Sequence, residues 1–132
     1  MCKVMVVDDN SAHREIVSRL AQNAMTPADE VLEYASPVDF IHAVVDRGER
    51  PDLIVIDYFM PELDGIQALR CVRGHGVHCP AIVLTAFYTE AMHKLLPSNN
   101  VKFLMKKPFS AQELFENIQA ACHMADNKES VA

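Results

Sequence analysis

The chain has 132 residues, is 50% hydrophobic, and carries a formal net charge of −6 at pH 7 from 12 basic and 18 acidic side chains. This length fits one globular domain, and the composition excludes collagen-like, low-complexity and disordered chains. The excess of acidic side chains disfavours direct binding to the phosphates of nucleic acids. Because the chain has neither an apolar run of ~20 residues nor a signal-like leader at residues 1–10, we expect no membrane association and a cytoplasmic location.

Five short aliphatic runs are predicted to form strands. Three of them are almost continuously apolar, which is typical of strands covered on both faces of a parallel sheet. In chain order, the predicted strands cover residues 3–7, 30–34, 53–56, 81–84 and 101–105.

The intervals between these runs carry apolar residues at helical spacing. Such stripes at residues 16–24, 40–45, 66–72 and 114–122 predict four helices, and a fifth, shorter helix is expected over residues 90–96.

Capping residues agree with these helices. Ser36 stands before a proline and predicts the start of the second helix, while Gly48 is expected to end it. Thr89 is expected to cap the short helix, and residues 110–113 have the pattern of a capping box at the start of the last one.

The strict alternation of strands and helices predicts an α/β fold, with a doubly wound five-stranded parallel sheet and helices on both faces. We expect one domain over residues 1–125 and a disordered polar tail over residues 126–132. In such sheets, functional residues lie where the strands end at their carboxyl termini.

Polar side chains stand at four of these strand ends. Asp8 and Asp9 follow the first strand, Asp57 the third, Thr85 the fourth and Lys107 the fifth. Clustered carboxylates repel one another unless a cation lies among them, and hard oxygen ligands favour Mg²⁺. A lysine at the same rim would bind an anion, of which phosphate is the clearest candidate.

Four segments at these strand ends resemble the signatures of response-regulator receiver domains, the CheY-like domains of two-component signalling. The resemblance extends from Lys3 to about His123, with the signatures in family order. The segments are VVDDN at 6–10, IVIDYFMPELDG at 54–65, AIVLTA at 81–86 and KPF at 107–109.

The resemblance implies a signalling switch that catalyses only its own phosphorylation and dephosphorylation and is not otherwise an enzyme. Asp57 would accept a phosphoryl group from the phosphohistidine of a histidine kinase or histidine phosphotransfer protein. Asp8, Asp9, Asp57 and the backbone carbonyl of Phe59 would hold Mg²⁺. Thr85 and Lys107 would contact the phosphoryl oxygens, and an output partner would bind the face made by helix 4, strand 5 and helix 5.

The segment around the lysine agrees with the family pattern in one detail and departs from it in another. The receiver lysine normally precedes a proline, which favours Lys107 over Lys106, and the Lys-Pro bond is commonly cis in the family. An aromatic residue usually stands three positions before that lysine, where this chain has Leu104. Phe103 would fit this spacing only if Lys106 were the active lysine.

Two phenylalanines are expected at the mouth of the predicted phosphorylation pocket. Phe59 lies two positions after Asp57, and Phe87 lies two positions after Thr85. Two phenyl rings would obstruct an attacking water and offer it no hydrogen bond; the alternative is that both rings only cover apolar surface.

Two other classes of protein share parts of this pattern. A haloacid-dehalogenase-like phosphohydrolase also uses aspartate and Mg²⁺, but it has an Asp-x-Asp pattern after the first strand, which Asn10 breaks. A flavodoxin-like cofactor binder needs a phosphate-binding loop at that place, where Asp8 and Asp9 would repel phosphate. The sequence leaves open whether the domain acts alone or belongs to a longer regulator or hybrid kinase.

The cysteines raise one further question. Because the chain does not resemble a secreted protein, reduced thiols are expected throughout. The segment 71–79 contains a set of cysteines and histidines that could bind zinc. Because their spacing is irregular, an incidental cluster is favoured over a zinc site. This set comprises Cys71, His75, His78 and Cys79, and the other two cysteines are Cys2 and Cys122.

Overall fold

A computed structural model describes residues 2–24 and 29–131 of the chain, and in these residues five strands alternate with five α-helices. Three strands continue one residue further than predicted, to the polar residue that ends each of them. The strands are β1 (Lys3–Val7), β2 (Glu30–Tyr34), β3 (Leu53–Asp57), β4 (Ala81–Thr85) and β5 (Val101–Lys106).

The helices occupy the predicted intervals, and a 3₁₀ turn over Pro97–Asn99 follows the fourth of them. No helix in the described part of the chain is long and apolar enough to cross a membrane. The helices are α1 (Ser11–Ala24), α2 (Pro37–Val45), α3 (Gly65–Arg73), α4 (Glu90–Leu95) and α5 (Ala111–Val131).

All strands of the sheet are parallel, in the order β2-β1-β3-β4-β5. Successive strand residues point to opposite faces, so Val4 packs in one core layer and Met5 in the other. Helices α1 and α5 cover the first layer, and α2 and α3 cover the second. The predicted doubly wound fold is therefore confirmed.

Three of the predicted caps are present. The hydroxyls of Ser36, Thr89 and Ser110 each accept a hydrogen bond from the backbone N–H three residues later, at 3.0, 3.2 and 3.3 Å. The end of α2 differs from the prediction: the helix stops at Val45, with Asp46 as its C-cap. Gly48, with a φ of 72°, shapes the following turn instead.

The expectation of reduced thiols is wrong for one pair, because Cys2 and Cys122 form a disulfide with their Cα atoms 5.8 Å apart. Residue 2 directly precedes β1, and α5 packs over the sheet, so both cysteines are buried in the same core layer. Their 120-residue separation gives no local sequence signal of this contact. Cys71 and Cys79 are free thiols in the described part of the chain.

Two further differences concern helix faces and ends. Ile16, expected in the buried stripe of α1, is 51% exposed, because Val17 and Ala21 face the sheet. Helix α5 continues to Val131, through most of the predicted tail, which has no glycine or proline to end it. Ala132 lies outside the described residues, and the domain boundary at residue 125 stays a prediction.

Candidate functional site

Four adjacent strand ends bring the predicted site residues together. In the sheet, β1, β3, β4 and β5 are consecutive neighbours, so Asp8, Asp57, Thr85 and Lys107 follow one another along one rim. Backbone hydrogen bonds continue past the strands: Tyr58 N donates to Leu84 O at 2.8 Å, and Lys107 N donates to Thr85 O at 2.7 Å. The hydrogen bonds between parallel strands thus fix the backbone at the rim where these residues lie.

The three carboxylates form a compact acidic cluster. Asp8, Asp9 and Asp57 each offer an oxygen within 4.8 Å of the others. Asp8 and Asp57 are 2% and 7% exposed, whereas Asp9 is exposed to solvent. Asp8 Oδ1 accepts a hydrogen bond from Asn10 N at 2.9 Å, but its buried Oδ2 has no hydrogen-bond partner among the described residues.

This donor set fits a divalent cation. A buried carboxylate oxygen without a hydrogen bond is costly, and a bound cation would satisfy it. Oxygen ligands with one exposed member, where water can complete the coordination, are typical of Mg²⁺. By contrast, the Cys and His residues of segment 71–79 are not brought together as a group of three or more ligands within the described residues.

Burial governs the charge state of the two buried acids. Desolvation raises the pKa of Asp57, while the hydrogen bond from Lys107 opposes this rise. Desolvation also raises the pKa of Asp8, against the lowering effect of the backbone N–H of Asn10. Ionisation of these two carboxylates therefore costs stability as the pH rises above their ordinary pKa, and a bound cation would offset this cost.

The geometry distinguishes the two lysines at the end of β5. Lys107 Nζ lies 2.9 Å from Asp57 Oδ1 and 3.9 Å from Asp8 Oδ2, whereas the Lys106 side chain is exposed. The Lys107–Pro108 peptide is cis. Phe103 packs against the α1/α5 layer and Leu104 against the α2/α3 layer, so the two residues lie on opposite faces of the sheet.

Thr85 is buried and bonded to the loop that follows β4. Its hydroxyl donates to the carbonyl of Phe87 at 2.6 Å and accepts from the N–H of Phe87 at 3.2 Å. The position of the hydroxyl is therefore tied to the conformation of this loop.

The two predicted phenylalanines lie in contact at the rim. Phe59 and Phe87 are 48% and 68% exposed, and their ring centroids are 5.9 Å apart in an edge-to-face arrangement. Tyr58 makes a similar contact with Phe59 at 4.8 Å. The loops that follow Asp57 and Thr85 thus share an exposed aromatic group.

Asp64 and Gly65 shape the loop after Asp57. Asp64 caps α3 and exchanges hydrogen bonds with Gln67, so its role is to form the turn and to cap the helix. A side chain at Gly65 would place its Cβ only 2.6 Å from Asp57 O. Sequence reasoning missed this close approach, for which the glycine after Asp64 is the only signal.

His13 is a second residue that sequence reasoning missed. Its Nδ1 lies 3.4 Å from Lys107 Nζ, although the two residues are 94 positions apart. The sequence feature that could have indicated His13 is its position in the first turn of α1, because this helix starts at the rim where β1 ends.

Comparisons with known proteins identify the family of the chain. Residues 4–119 match the response regulator receiver domain family. The response regulator MprA of Mycobacterium avium is 29% identical over 98% of this chain, which covers 56% of MprA, so the chain spans about half the length of this curated relative.

Solved structures show the same fold. The receiver domain of the Francisella response regulator 1452 is 25% identical, with a TM-score of 0.79 over 94% of this chain and 98% of that one. A response regulator receiver domain protein from Clostridium thermocellum is 23% identical, with a TM-score of 0.81 over the full length of both chains.

The comparisons give no support to the phosphohydrolase alternative. Receiver domains of response regulators are regulatory and have histidine kinases as partners. With the family match over most of its length and with this fold, the chain belongs to the receiver domain family of response regulators in two-component signalling.

Proposed function

We propose that Asp57 is the phosphoryl acceptor of this receiver domain. The observation that carries the proposal is the place of its carboxylate, nearly buried between Asp8 and the ammonium of Lys107. An Asp57 oxygen would attack the phosphorus of a phosphohistidine, on a histidine kinase or a histidine phosphotransfer protein. The phosphorus–nitrogen bond would break, its electron pair would leave with the imidazole, and an acyl phosphate would remain.

We infer that Asp8, Asp9, Asp57 and the backbone carbonyl of Phe59 hold Mg²⁺. The Oδ2 of Asp8, which has no hydrogen-bond partner among the described residues, and the closeness of the three carboxylates support this assignment. Bound Mg²⁺ would neutralise charge on the phosphoryl oxygens during transfer, which depends chiefly on positioning and charge stabilisation.

Lys107 and Thr85 have different tasks in this proposal. Lys107 already contacts Asp57, so its ammonium needs little movement to pair with a phosphoryl oxygen. Thr85 must exchange its bonds to Phe87 for a bond to the phosphoryl group, and the loop after β4 must then move. Phosphorylation would thereby shift the population of conformations in the segment that leads into α4.

The output of the switch is proposed to pass through the face formed by α4, β5 and α5. A protein partner would recognise this face differently before and after phosphorylation, without direct contact between this domain and nucleic acid. The domain would be a regulatory protein whose only catalysis is its own phosphorylation and dephosphorylation. Its cytoplasmic location and the absence of membrane association stay predictions.

Incubation with acetyl phosphate and Mg²⁺, followed by intact mass measurement, tests the acceptor. We expect the wild type to gain one phosphoryl group and Asp57→Asn to gain none. Asp39→Asn, which changes an exposed aspartate in the first turn of α2, is the matched control and should behave as wild type. Labelling of Asp57→Asn at the wild-type rate would overturn the assignment.

Amide hydrogen exchange with the phosphoryl mimic beryllofluoride tests the output face. Protection should change in the loop after β4 and in α4, β5 and α5. A change confined to α1 and α2 would contradict the proposed route of the signal.

A further inference from the structure

Within the described part of the chain, the ammonium of Lys107 has three polar neighbours at the rim. Its Nζ lies 2.9 Å from Asp57 Oδ1, 3.4 Å from His13 Nδ1 and 3.9 Å from Asp8 Oδ2. Two of these neighbours are carboxylates that belong to the proposed magnesium and phosphoryl site. His13 is the third, and the functional assignments above leave it unused.

The backbone holds His13 in this place. Asn10 N donates to Asp8 Oδ1 at 2.9 Å, and the Asn10 side-chain oxygen accepts from His13 N at 3.0 Å. The contact with Lys107 continues this series, and Lys107 contacts Asp57. His13 thus lies in one connected set of polar contacts that runs from the end of β1 to the end of β3.

We propose that His13 is a positioning residue that holds the Lys107 ammonium at the phosphoryl site, an inference that rests on the proposed function of Asp57. In the neutral tautomer that carries its proton on Nε2, the imidazole Nδ1 accepts one of the three N–H groups of Lys107. A lysine side chain is a flexible stem with a strongly hydrated head, so a second fixed acceptor restricts where its charge can lie.

The need for this acceptor arises when Asp57 reacts. Before transfer, the Asp57 carboxylate holds Lys107 directly. Once an Asp57 oxygen is bonded to phosphorus, and with Mg²⁺ held by the carboxylates, Asp57 would no longer offer Lys107 the free carboxylate that holds it before transfer. His13 takes no part in either event, so it keeps the ammonium in reach of the phosphoryl oxygens throughout the transfer.

The surroundings of His13 make the idea testable by substitution. His13 is exposed and borders a groove of about 530 Å³, which otherwise has mainly apolar walls, among them Ile16, Pro108 and Phe109. Because the ring is not part of either core layer, its replacement should leave the fold intact.

The test compares the rate of phosphorylation by acetyl phosphate and Mg²⁺ in three variants. His13→Leu removes the acceptor and should slow the reaction about 5-fold, a moderate coupling for residues in contact. His13→Asn offers an oxygen near the place of Nδ1 and should restore most of the rate. His123→Leu, which removes an exposed histidine of α5, is the control and should react as wild type.

A double-mutant cycle separates positioning from a general structural effect. If His13 acts through Lys107, then His13→Leu should cause no further loss in a Lys107→Met background. The binding of beryllofluoride with Mg²⁺ gives a second readout of the same cycle that does not depend on turnover. Equal losses in the two backgrounds, or a wild-type rate in His13→Leu, would overturn the proposal.

The two levels of the proposal fail differently. If Asp57 is not the acceptor, Asp57→Asn is labelled like the wild type. If only the role of His13 is wrong, Asp57 remains the labelled residue and the cycle shows no coupling between His13 and Lys107.

Discussion

Lys107 should stabilise the unliganded domain, because it is the cation in contact with the two buried carboxylates. Lys107→Met keeps a linear side chain and removes the charge, leaving Asp57 Oδ1 and Asp8 Oδ2 without the ammonium at 2.9 and 3.9 Å. The side chains of Asp57 and Asp8 are only 9% and 3% exposed, so solvent screens these contacts poorly.

The expected magnitude follows from this burial. Loss of one partner from a fully buried ion pair costs about 3–5 kcal/mol, whereas exposed pairs contribute about 0–1 kcal/mol. The Lys107 side chain is 19% exposed, which places this site between the two limits. We therefore expect a loss of about 2–3 kcal/mol in the free energy of unfolding, and about 8 °C in Tm for a domain of this size.

Thermal unfolding followed by circular dichroism, in EDTA and in excess Mg²⁺, measures the effect. The loss should shrink in Mg²⁺, because the bound cation replaces the missing charge. Lys106→Met changes an exposed neighbour and should stay within about 0.5 kcal/mol of the wild type. The reasoning is refuted if the two variants are equally stable in EDTA, or if Mg²⁺ leaves the loss at Lys107 unchanged.

Three other predictions use the same domain. Burial raises the pKa of Asp57, so the free energy of unfolding of the wild type should fall relative to that of Asp57→Asn as the pH rises from the ordinary pKa of 3.8 through the native pKa. Denaturation curves in EDTA measure this difference, and a difference that does not grow with pH would contradict the prediction. Cys2→Ser should cost about 2–4 kcal/mol without reductant, while Cys71→Ser, which changes a free cysteine, should cost clearly less; thermal scans with and without reductant provide the comparison. Phe59→Asn and Phe87→Glu, singly and together, should lose the phosphoryl group faster than the wild type after the donor is removed. Intact mass follows this loss, and a rate equal to that of the wild type would rule out shielding by the rings.

The sequence predicts most of the fold because its strands are buried on both faces. Continuous apolar runs such as the one at residues 53–56 carry a strong signal, and all five strands start where predicted. The polar residues Asp57 and Thr85 break the apolar pattern, so the predicted strands stop one residue before the hydrogen-bonded ladder does.

The site is predictable only in part. The strand order of a doubly wound sheet places Asp8 and Asp57 at one rim. The proline after Lys107 favours this lysine over Lys106, whereas the spacing of Phe103 fits Lys106, so the sequence leaves both readings open. Successive residues at the end of a strand point in opposite directions, and only the geometry shows which one reaches Asp57. The contacts of His13 with Lys107 and of Cys2 with Cys122 join distant parts of the chain and depend on how α1 and α5 pack.

The identity of the phosphorylated residue is the most direct test of the proposed switch. The wild-type domain would be treated with acetyl phosphate in Mg²⁺ or in EDTA, reduced with borohydride to trap the acyl phosphate, and mapped by peptide mass spectrometry. We predict that the modified residue is Asp57 and that EDTA prevents the modification. A modification at another residue would contradict the acceptor, and a modification that forms equally well in EDTA would contradict the metal site.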